Sequence, residues 1–468
     1  MNFQRTLLNE RSNRPNTYVW IAISLLGIAA AFQMSFLIWR AGLGLEVDRN
    51  EAWNAWHIGH GLTPSLLYPD PGNLIINNYP PLSFIFINIA SLSNDFILTG
   101  RIFSILSVIV IAACVADAVK TFGGKLDGML VSSIYCLSMF SIVIPKYMGM
   151  NDPNFLALAV MMIGISLFLR SSHQDKLPVS GCLIIAIALF FKHSIIALPI
   201  AMLVWQFLTH RNLFLRSLGM IILLGALGLL ICYFFYGSNF FDQLRSPRLI
   251  RLSSGFRFFR VIPPLLPALI LWYRWNDLKA PRDTVLATKI TISVCFVLNF
   301  VQQCGEGVDY NATFEFIIAV TFALGCALAS PNIDDIPVSN RFRKNQGKLL
   351  VTGSLLIVLF GNRVEPYLYF FSTSEQYRLS VHEQEKFTNR EVVRIQSQSG
   401  PVSCSVMTVC YLAGKSFIYD DFAMAQRVAT GTWTDDRLKK EVMAQQVRFE
   451  TISDSALWQS QNFASALR

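Results

Sequence analysis

Charge is scarce in this chain. Asp, Glu, Lys and Arg make up 15% of its 468 residues, whereas ordinary soluble domains carry about 25%. A freely soluble globular domain is therefore excluded. No internal repeat and no low-complexity segment is found. That speaks against a transporter or lipid-linked sugar flippase, which is usually built from repeated halves around polar groups at the bilayer midplane. The six His and nine Cys show no spacing of a zinc site. Most of the Cys (Cys114, Cys136, Cys182, Cys232, Cys295 and Cys326) lie inside apolar runs, where the thiol behaves as a small hydrophobe. Cys404 and Cys410 are the pair that could bond in an oxidising compartment. The first apolar run, Tyr18–Trp39, is too long for a signal-peptide core and has no small-residue cleavage site, so it reads as a true span. The net charge of +9 fits basic loops kept on the cytoplasmic side better than a nucleic-acid partner.

What is present is apolar. Hydrophobic residues reach 53%, with 36 Phe, and the mean hydropathy is +0.44. Runs of roughly 17–25 apolar residues suit a ~30 Å hydrocarbon core. They predict spans over 17–38, 101–119, 126–145, 153–169, 178–191, 194–209, 213–235, 258–275, 285–303, 311–329 and 348–364. Pro81–Ser93 is apolar but, at about 13 residues, fits a helix lying in the membrane plane. With it set aside, the basic loops fall on one side: Arg5, Arg11 and Arg14; Lys120 and Lys125; Arg170 and Lys176; Arg211 and Arg216; Arg274, Lys279 and Arg282; Arg341, Arg343, Lys344 and Lys348. The positive-inside rule then predicts eleven spans, a cytoplasmic N-terminus and an outer C-terminus. The short pair 178–191 and 194–209 divides at Lys192-His193-Ser194.

The expected fold class is an all-α polytopic membrane domain with in-plane juxtamembrane helices and a small C-terminal α/β domain outside. The expected boundary puts the catalytic membrane domain at 1–365 and the outer domain at 366–468. In the outer domain, PVSCSVMTVCYL and VRFETIS read as strands. TDDRLKKEVMAQQ reads as a helix capped by Thr434, with Asp435 and Asp436 in its first turn.

This topology collects the polar features at the outer ends of spans, and ionisable groups near membrane depth default to a functional reading. Asp48 and Glu51, three apart in EVDRNEAWNAWHIGHG, would share a helix face. A carboxylate there could be a general base for an acceptor hydroxyl or could cap the following helix. Asp152, in Asn151-Asp152-Pro153, suits both an N-cap with Pro at N1 and a fixed interfacial carboxylate. Lys192 and His193 could meet a lipid phosphate, while Lys146 reads as a snorkelling side chain. Arg245, Arg248, Arg251, Arg257 and Arg260 crowd one outer loop against the positive-inside trend. That suits either a donor phosphate or anionic headgroups. Asn311 and Glu315, four apart in GVDYNATFEF, could hold sugar hydroxyls or make an interhelical hydrogen bond.

The order of these motifs is familiar. An acidic residue follows the first span, then G…YPD…YPPL, and GR opens the next span. An outer ND comes two spans later, then KHS…P and GVDYNATFE, with a small outer domain at the end. The chain resembles the C-type membrane glycosyltransferases (GT-C), in particular bacterial relatives of protein O-mannosyltransferases and lipid A aminoarabinose transferase. The likeness spans nearly the whole chain in architecture. It implies a sugar donor on a polyprenyl phosphate, an acceptor hydroxyl on a glycan, lipid or protein, and a site on the outer face of the inner (plasma) membrane. It implies Asp48 as catalytic base, Asp152 as the second acidic position and an in-plane Tyr-Pro-Pro-Leu helix. The aminoarabinose transferases carry a Lys just before the Pro-Pro pair. Tyr79 stands there instead, so phosphate contact falls to other cations: Arg101, Lys192 and the arginine loop. No cofactor is required by this scheme, although Asp48 and Asp152 could jointly hold a divalent cation if they converge. Competing readings are a polysaccharide polymerase or ligase with a lipid-pyrophosphate donor, a flippase, and a receptor whose outer domain does the work.

Overall fold

The computed structural model describes residues 17–276, 281–328 and 374–452. The expected span 348–364 and the expected boundary at 365 lie outside the described residues. Eight helices are long and apolar enough to cross a membrane, and two shorter apolar helices, Val179–Phe191 and Ala197–Thr209, follow one another. Ten of the eleven expected spans therefore fall on helices. We number them α1 (Thr17–Ala41), α4 (Phe96–Thr121), α5 (Leu126–Val143), α6 (Pro153–His173), α7 (Val179–Phe191), α8 (Ala197–Thr209), α9 (Arg211–Tyr236), α10 (Ile262–Asn276), α11 (Arg282–Gln303) and α12 (Phe314–Leu328). Between α1 and α4 lie α2 (Asn50–Gly59) and the short α3 (Leu82–Ala90), which falls within the apolar segment Pro81–Ser93.

Burial sorts the bundle. The span containing α12 has 89% of its central window inside the protein, while that of α9 has 6%, so α12 is the bundle's axis and α9 its lipid-facing rim. Around α12 pack α5, α10 and α11, and α4 joins α5 to α6. Gly100 makes the α4–α6 junction possible: a Cβ there would fall 1.8 Å from the Asn151 side-chain oxygen. Helix α8 starts where a distant side chain caps it. Glu315 accepts the Leu198 N–H at 2.8 Å and takes the Asn299 amide at 3.3 Å, so an intramembrane carboxylate satisfies a helix N-terminus.

The C-terminal region is a small α/β unit. A parallel pair, β1 (Val402–Cys404) and β2 (Arg448–Glu450), packs with α13 (Ser374–Gln396), α14 (Met407–Leu412), α15 (Asp421–Ala429) and α16 (Asp435–Ala444). Thr434 caps α16, its hydroxyl accepting the Arg437 N–H. PVSCSVMTVCYL is only half strand: after Cys404 the chain turns into α14. The reason is spacing. Val406, Val409, Cys410 and Ala413 are the buried set, at i, i+3, i+4 and i+7, which is one helix face. Cys404 and Cys410 are disulfide-bonded, closing that turn.

One ion pair ties the N-terminal helices together. Arg101, on α4, is 2% exposed and Glu51, on α2, 0%. The Arg101 Nε donates to Glu51 Oε1 at 2.7 Å and Nη2 to Oε2 at 2.6 Å. Its remaining N–H groups go to the carbonyls of Ala41, Leu43 and Leu45. Removing one partner strands a buried charge, which typically costs 3–5 kcal/mol. Arg101→Met and Glu51→Gln should each lower the thermal unfolding midpoint of the detergent-solubilised protein markedly. A midpoint within a degree or so of wild type for both would show that the pair does not hold the fold.

Candidate active site

The site grows from that ion pair. Glu51 also accepts the N–H of Val47 at 2.9 Å and of Asn151 at 3.0 Å. Asn151 donates its side-chain amide to the Glu51 carbonyl and receives the Asn54 amide on its own. Asp48 and Asp152, the neighbours of these anchored positions in sequence, are thereby held in one region. The loop between α5 and α6 is fixed from the other side. Arg40 donates to the carbonyls of Pro145 and Met148, and Ser104 to that of Tyr147.

Asp48 is 5% exposed. One oxygen accepts the Asn50 N–H at 2.9 Å and the other is ion-paired with the Lys146 ammonium. Lys146 also stands 3.7 Å from an Asp309 oxygen, and the Tyr147 hydroxyl reaches the same oxygen at 3.5 Å. Lys146, read from the sequence as snorkelling, is instead the partner of the candidate base. Asp309 lay inside a motif singled out for other residues. The only sequence signal for either was a charge at an outer helix end. Asp152 caps α6 and accepts from Asn154. Burial pushes its carboxyl above the ordinary range, and the Lys192 ammonium pulls it back. Tyr147 is raised well above its ordinary value, first by burial and then by the charges of Asp309, Asp152 and Asp48. These groups form one electrostatic neighbourhood.

Lys192 brings a buried ammonium to the site. It lies at the break between α7 and α8, 3% exposed. Its Nζ sits 3.9 Å from the Tyr79 ring centroid. That nitrogen is buried without a hydrogen-bond partner among the described residues. Tyr79 in turn meets Trp53 edge-on at 5.3 Å. The cation absent before the Pro-Pro pair in sequence is thus brought to the same tyrosine from another helix.

Other expected residues take different places. Arg101 has every N–H committed, so a phosphate would find no free donor on it. Glu51 faces the same pair, which sets aside a direct role with the acceptor. Glu315 is buried and caps α8, accepting also from the Asn299 amide, and Asn311 donates to Asn154 at 3.4 Å; the interhelical reading holds for Glu315. His193 is exposed. Arg245, Arg248 and Arg251 are exposed on their loop. Arg251 pairs with Glu306 at 3.4 Å, and the Arg248 guanidinium lies 5.7 Å from the Phe422 ring. The loop therefore also braces the C-terminal unit, where Gln426 accepts the Leu249 N–H. Among the described residues no three His, Cys, Asp or Glu side chains converge as metal ligands.

That C-terminal unit roofs the site. Glu46 accepts the Thr408 N–H at 2.8 Å, Trp53 donates to Asp420 at 3.1 Å, and Arg49 pairs with Asp421. Asp420 donates its N–H to the Leu74 carbonyl. A cleft between α2 and this unit is lined by Ala52, Trp56, Tyr411 and Phe417.

The arrangement of helices is shared with solved structures. Among them are structures of ArnT from Cupriavidus metallidurans. The form bound to undecaprenyl phosphate superposes with a TM-score of 0.54 at 13% identity, covering 96% of this chain and 91% of that chain. The apo form gives 0.53 at 12% identity, covering 89% and 88%. At such identities the likeness is one of fold. No protein-family model matches the sequence, and no curated protein matches it.

The roof carries a pH dependence. Burial raises Glu46 from 4.5 to about 7, against the Thr408 hydrogen bond, and raises Asp420 from 3.8 to about 6. Both carboxyls bind protons more tightly when docked than when free. Their contribution is therefore full below about pH 4 and is lost as pH rises through about 7. Hydrogen exchange in α14 should quicken across that window, and Glu46→Gln should flatten the upper part. Protection that is constant from about pH 4 to 7.5 would rule this out.

Proposed function

We propose that this protein is a membrane glycosyltransferase that moves a sugar from a polyprenyl-phosphate donor to an acceptor hydroxyl. The observation that carries the reading is Lys192. A buried ammonium without a hydrogen-bond partner is costly, and an anion seated beside it would complete the site. A phosphate on a lipid arriving from the bilayer has the right charge and depth. The GT-C fold, and a structural neighbour solved with undecaprenyl phosphate, support that choice of ligand.

The chemistry follows. An acceptor oxygen attacks the anomeric carbon, the bond from that carbon to the phosphate oxygen breaks, and the lipid phosphate departs. Charge grows on the phosphate, and fixed cations that meet it give the largest stabilisation. Lys192 supplies one at the Tyr79 end. Asp48 takes the proton of the acceptor hydroxyl. The Trp56–Tyr411–Phe417 cleft begins along α2 from Asp48 and offers flat apolar faces to an acceptor. Asp152 holds the start of α6 and balances Lys192. No step runs through a metal ion.

The charge bias of the loops supports a site on the outer face of the membrane. The Cys404–Cys410 disulfide supports an oxidising compartment for the C-terminal unit. Reporter fusions after residues 125 and 215 should report inside, and after 400 outside.

Asp48→Asn keeps the shape and removes proton acceptance. A positioned base contributes typically 10²–10⁴-fold, so sugar transfer should fall by about that factor while lipid-phosphate binding persists. Lys192→Met should weaken binding of undecaprenyl phosphate. Membranes lacking the protein should accumulate a polyprenyl-phosphate sugar, cleared by the wild-type chain and not by Asp48→Asn. Near wild-type transfer by Asp48→Asn would sink the assignment of the base.

A further inference from the structure

We infer that Lys146 masks the Asp48 carboxylate in the empty enzyme and moves to the donor phosphate on binding, so that the lipid phosphate itself unmasks the base. The inference rests on the function proposed above. It starts from a conflict in the geometry. A carboxylate ion-paired with an ammonium is a poor proton acceptor, because taking a proton means giving up the pair. Asp48 is in that state: one oxygen holds Lys146, the other the Asn50 N–H.

Three features make Lys146 the movable partner. First, its side chain is 35% exposed, against 7% for that of Asp48, so the cation opens to the site while the carboxylate is fixed. Second, its ammonium is shared between Asp48 and Asp309, so its position is not set by one contact. Third, its backbone cannot follow. Arg40 and Ser104 pin the carbonyls on both sides of it; any motion is confined to the flexible four-carbon stem.

The destination is close. Lys192 sits on the Tyr79 ring, Tyr79 packs against Trp53 of α2, and Asp48 stands two residues before α2 begins, so Lys192 and the Lys146–Asp48 pair both lie beside the start of α2. A phosphate between the two lysines would offer Lys146 several oxygens and more negative charge than one carboxylate. Lys146 would keep its proton throughout. Asp48 would be left as a free carboxylate when, and only when, a donor is present. Donor would then bind before the acceptor is deprotonated.

Carbodiimide coupling tests this on the full wild-type chain in detergent. A water-soluble carbodiimide activates the Asp48 carboxylate, the Lys146 amine displaces the urea, and an amide forms with net loss of water. The cross-linked peptides are counted by mass spectrometry. Undecaprenyl phosphate should cut the Asp48–Lys146 cross-link by about fivefold or more, the factor that roughly 1 kcal/mol of exchanged ion pair corresponds to. Undecaprenol, with the same tail and no phosphate, should leave it unchanged. An undiminished cross-link with undecaprenyl phosphate bound would overturn the inference. Equal suppression by undecaprenol would overturn it too, since the tail alone would be blocking the reagent.

Binding measured in parallel separates the two levels. A wild-type chain that does not bind undecaprenyl phosphate would remove the proposed function, and the inference with it. A double-mutant cycle gives the second readout. Asp48→Asn should tighten undecaprenyl phosphate binding more in the wild-type background than in Lys146→Met, because only the former has a pair to break. Equal gains in both would mean simple charge repulsion and would overturn the switch.

Discussion

The buried pair of Glu51 and Arg101 is the constraint on which the rest of the site depends. Desolvating two charges is expensive, and their attraction repays it only when the geometry is good and the remaining donors and acceptors are satisfied. Here both conditions are met. The guanidinium donates to both Glu51 oxygens and to three backbone carbonyls. The carboxylate takes two further backbone N–H groups, from Val47 and Asn151. Four pieces of chain that are distant in sequence or differently oriented meet at one point: the end of α1, α2, α4 and the entrance to α6. None of them could shift alone without leaving a polar group unpaired.

That junction divides labour among carboxylates that look alike in sequence. Glu51 spends both oxygens on structure. Asp48 and Asp152 flank the anchored residues and keep side chains turned to one space. Rigidity is the useful product, since a reacting group a single ångström out of place loses much of its advantage. The cations differ in the same way. Arg101, with five donors in a fixed fork, suits the structural position. The lysines, compact charges on flexible stems, occupy the positions where a ligand would come and go.

The helices were legible in the sequence because a bilayer imposes length and apolarity on every span. The order and approximate ends of the ten described apolar helices followed from hydropathy alone, as did the break at Lys192. That the polar groups gather at one end of the spans was also expected from the sequence, and Asp48, Lys146 and Asp309 do meet. The pairings among them were not. Nothing in the spacing of Glu51 and Arg101, fifty residues apart, says that they meet, and the same holds for Asp48 with Lys146. Glu315 looked like a site residue because it was a charge inside a span; its partner, the N-terminus of α8, is a backbone feature with no residue signature. The helix in PVSCSVMTVCYL could have been found, since the spacing of Val406, Val409, Cys410 and Ala413 is helical. β-Branched composition outweighed it.

The C-terminal unit gives the polar cluster a roof, and the physical gain from one is clear. Charged groups at the membrane surface would lie open to water, where a cation–carboxylate contact is worth little. Docking changes that. Glu46, Trp53 and Arg49, all within or just before α2, bind the roof through Thr408, Asp420 and Asp421. Leu74 and Ile76 pack with Ala423, Met424 and Trp433. Asp48, Asp152 and Lys192 are all buried, so the local dielectric is low and every interaction between fixed charge and ligand charge there gains strength. The same burial makes a stranded charge costly, so the empty site must keep its ions paired. Lys146 on Asp48 meets that requirement. Lys192 has Asp152 as a counter-charge but, among the described residues, no hydrogen-bond partner and a tyrosine face below it, and that leaves it as the place where an incoming anion has most to offer.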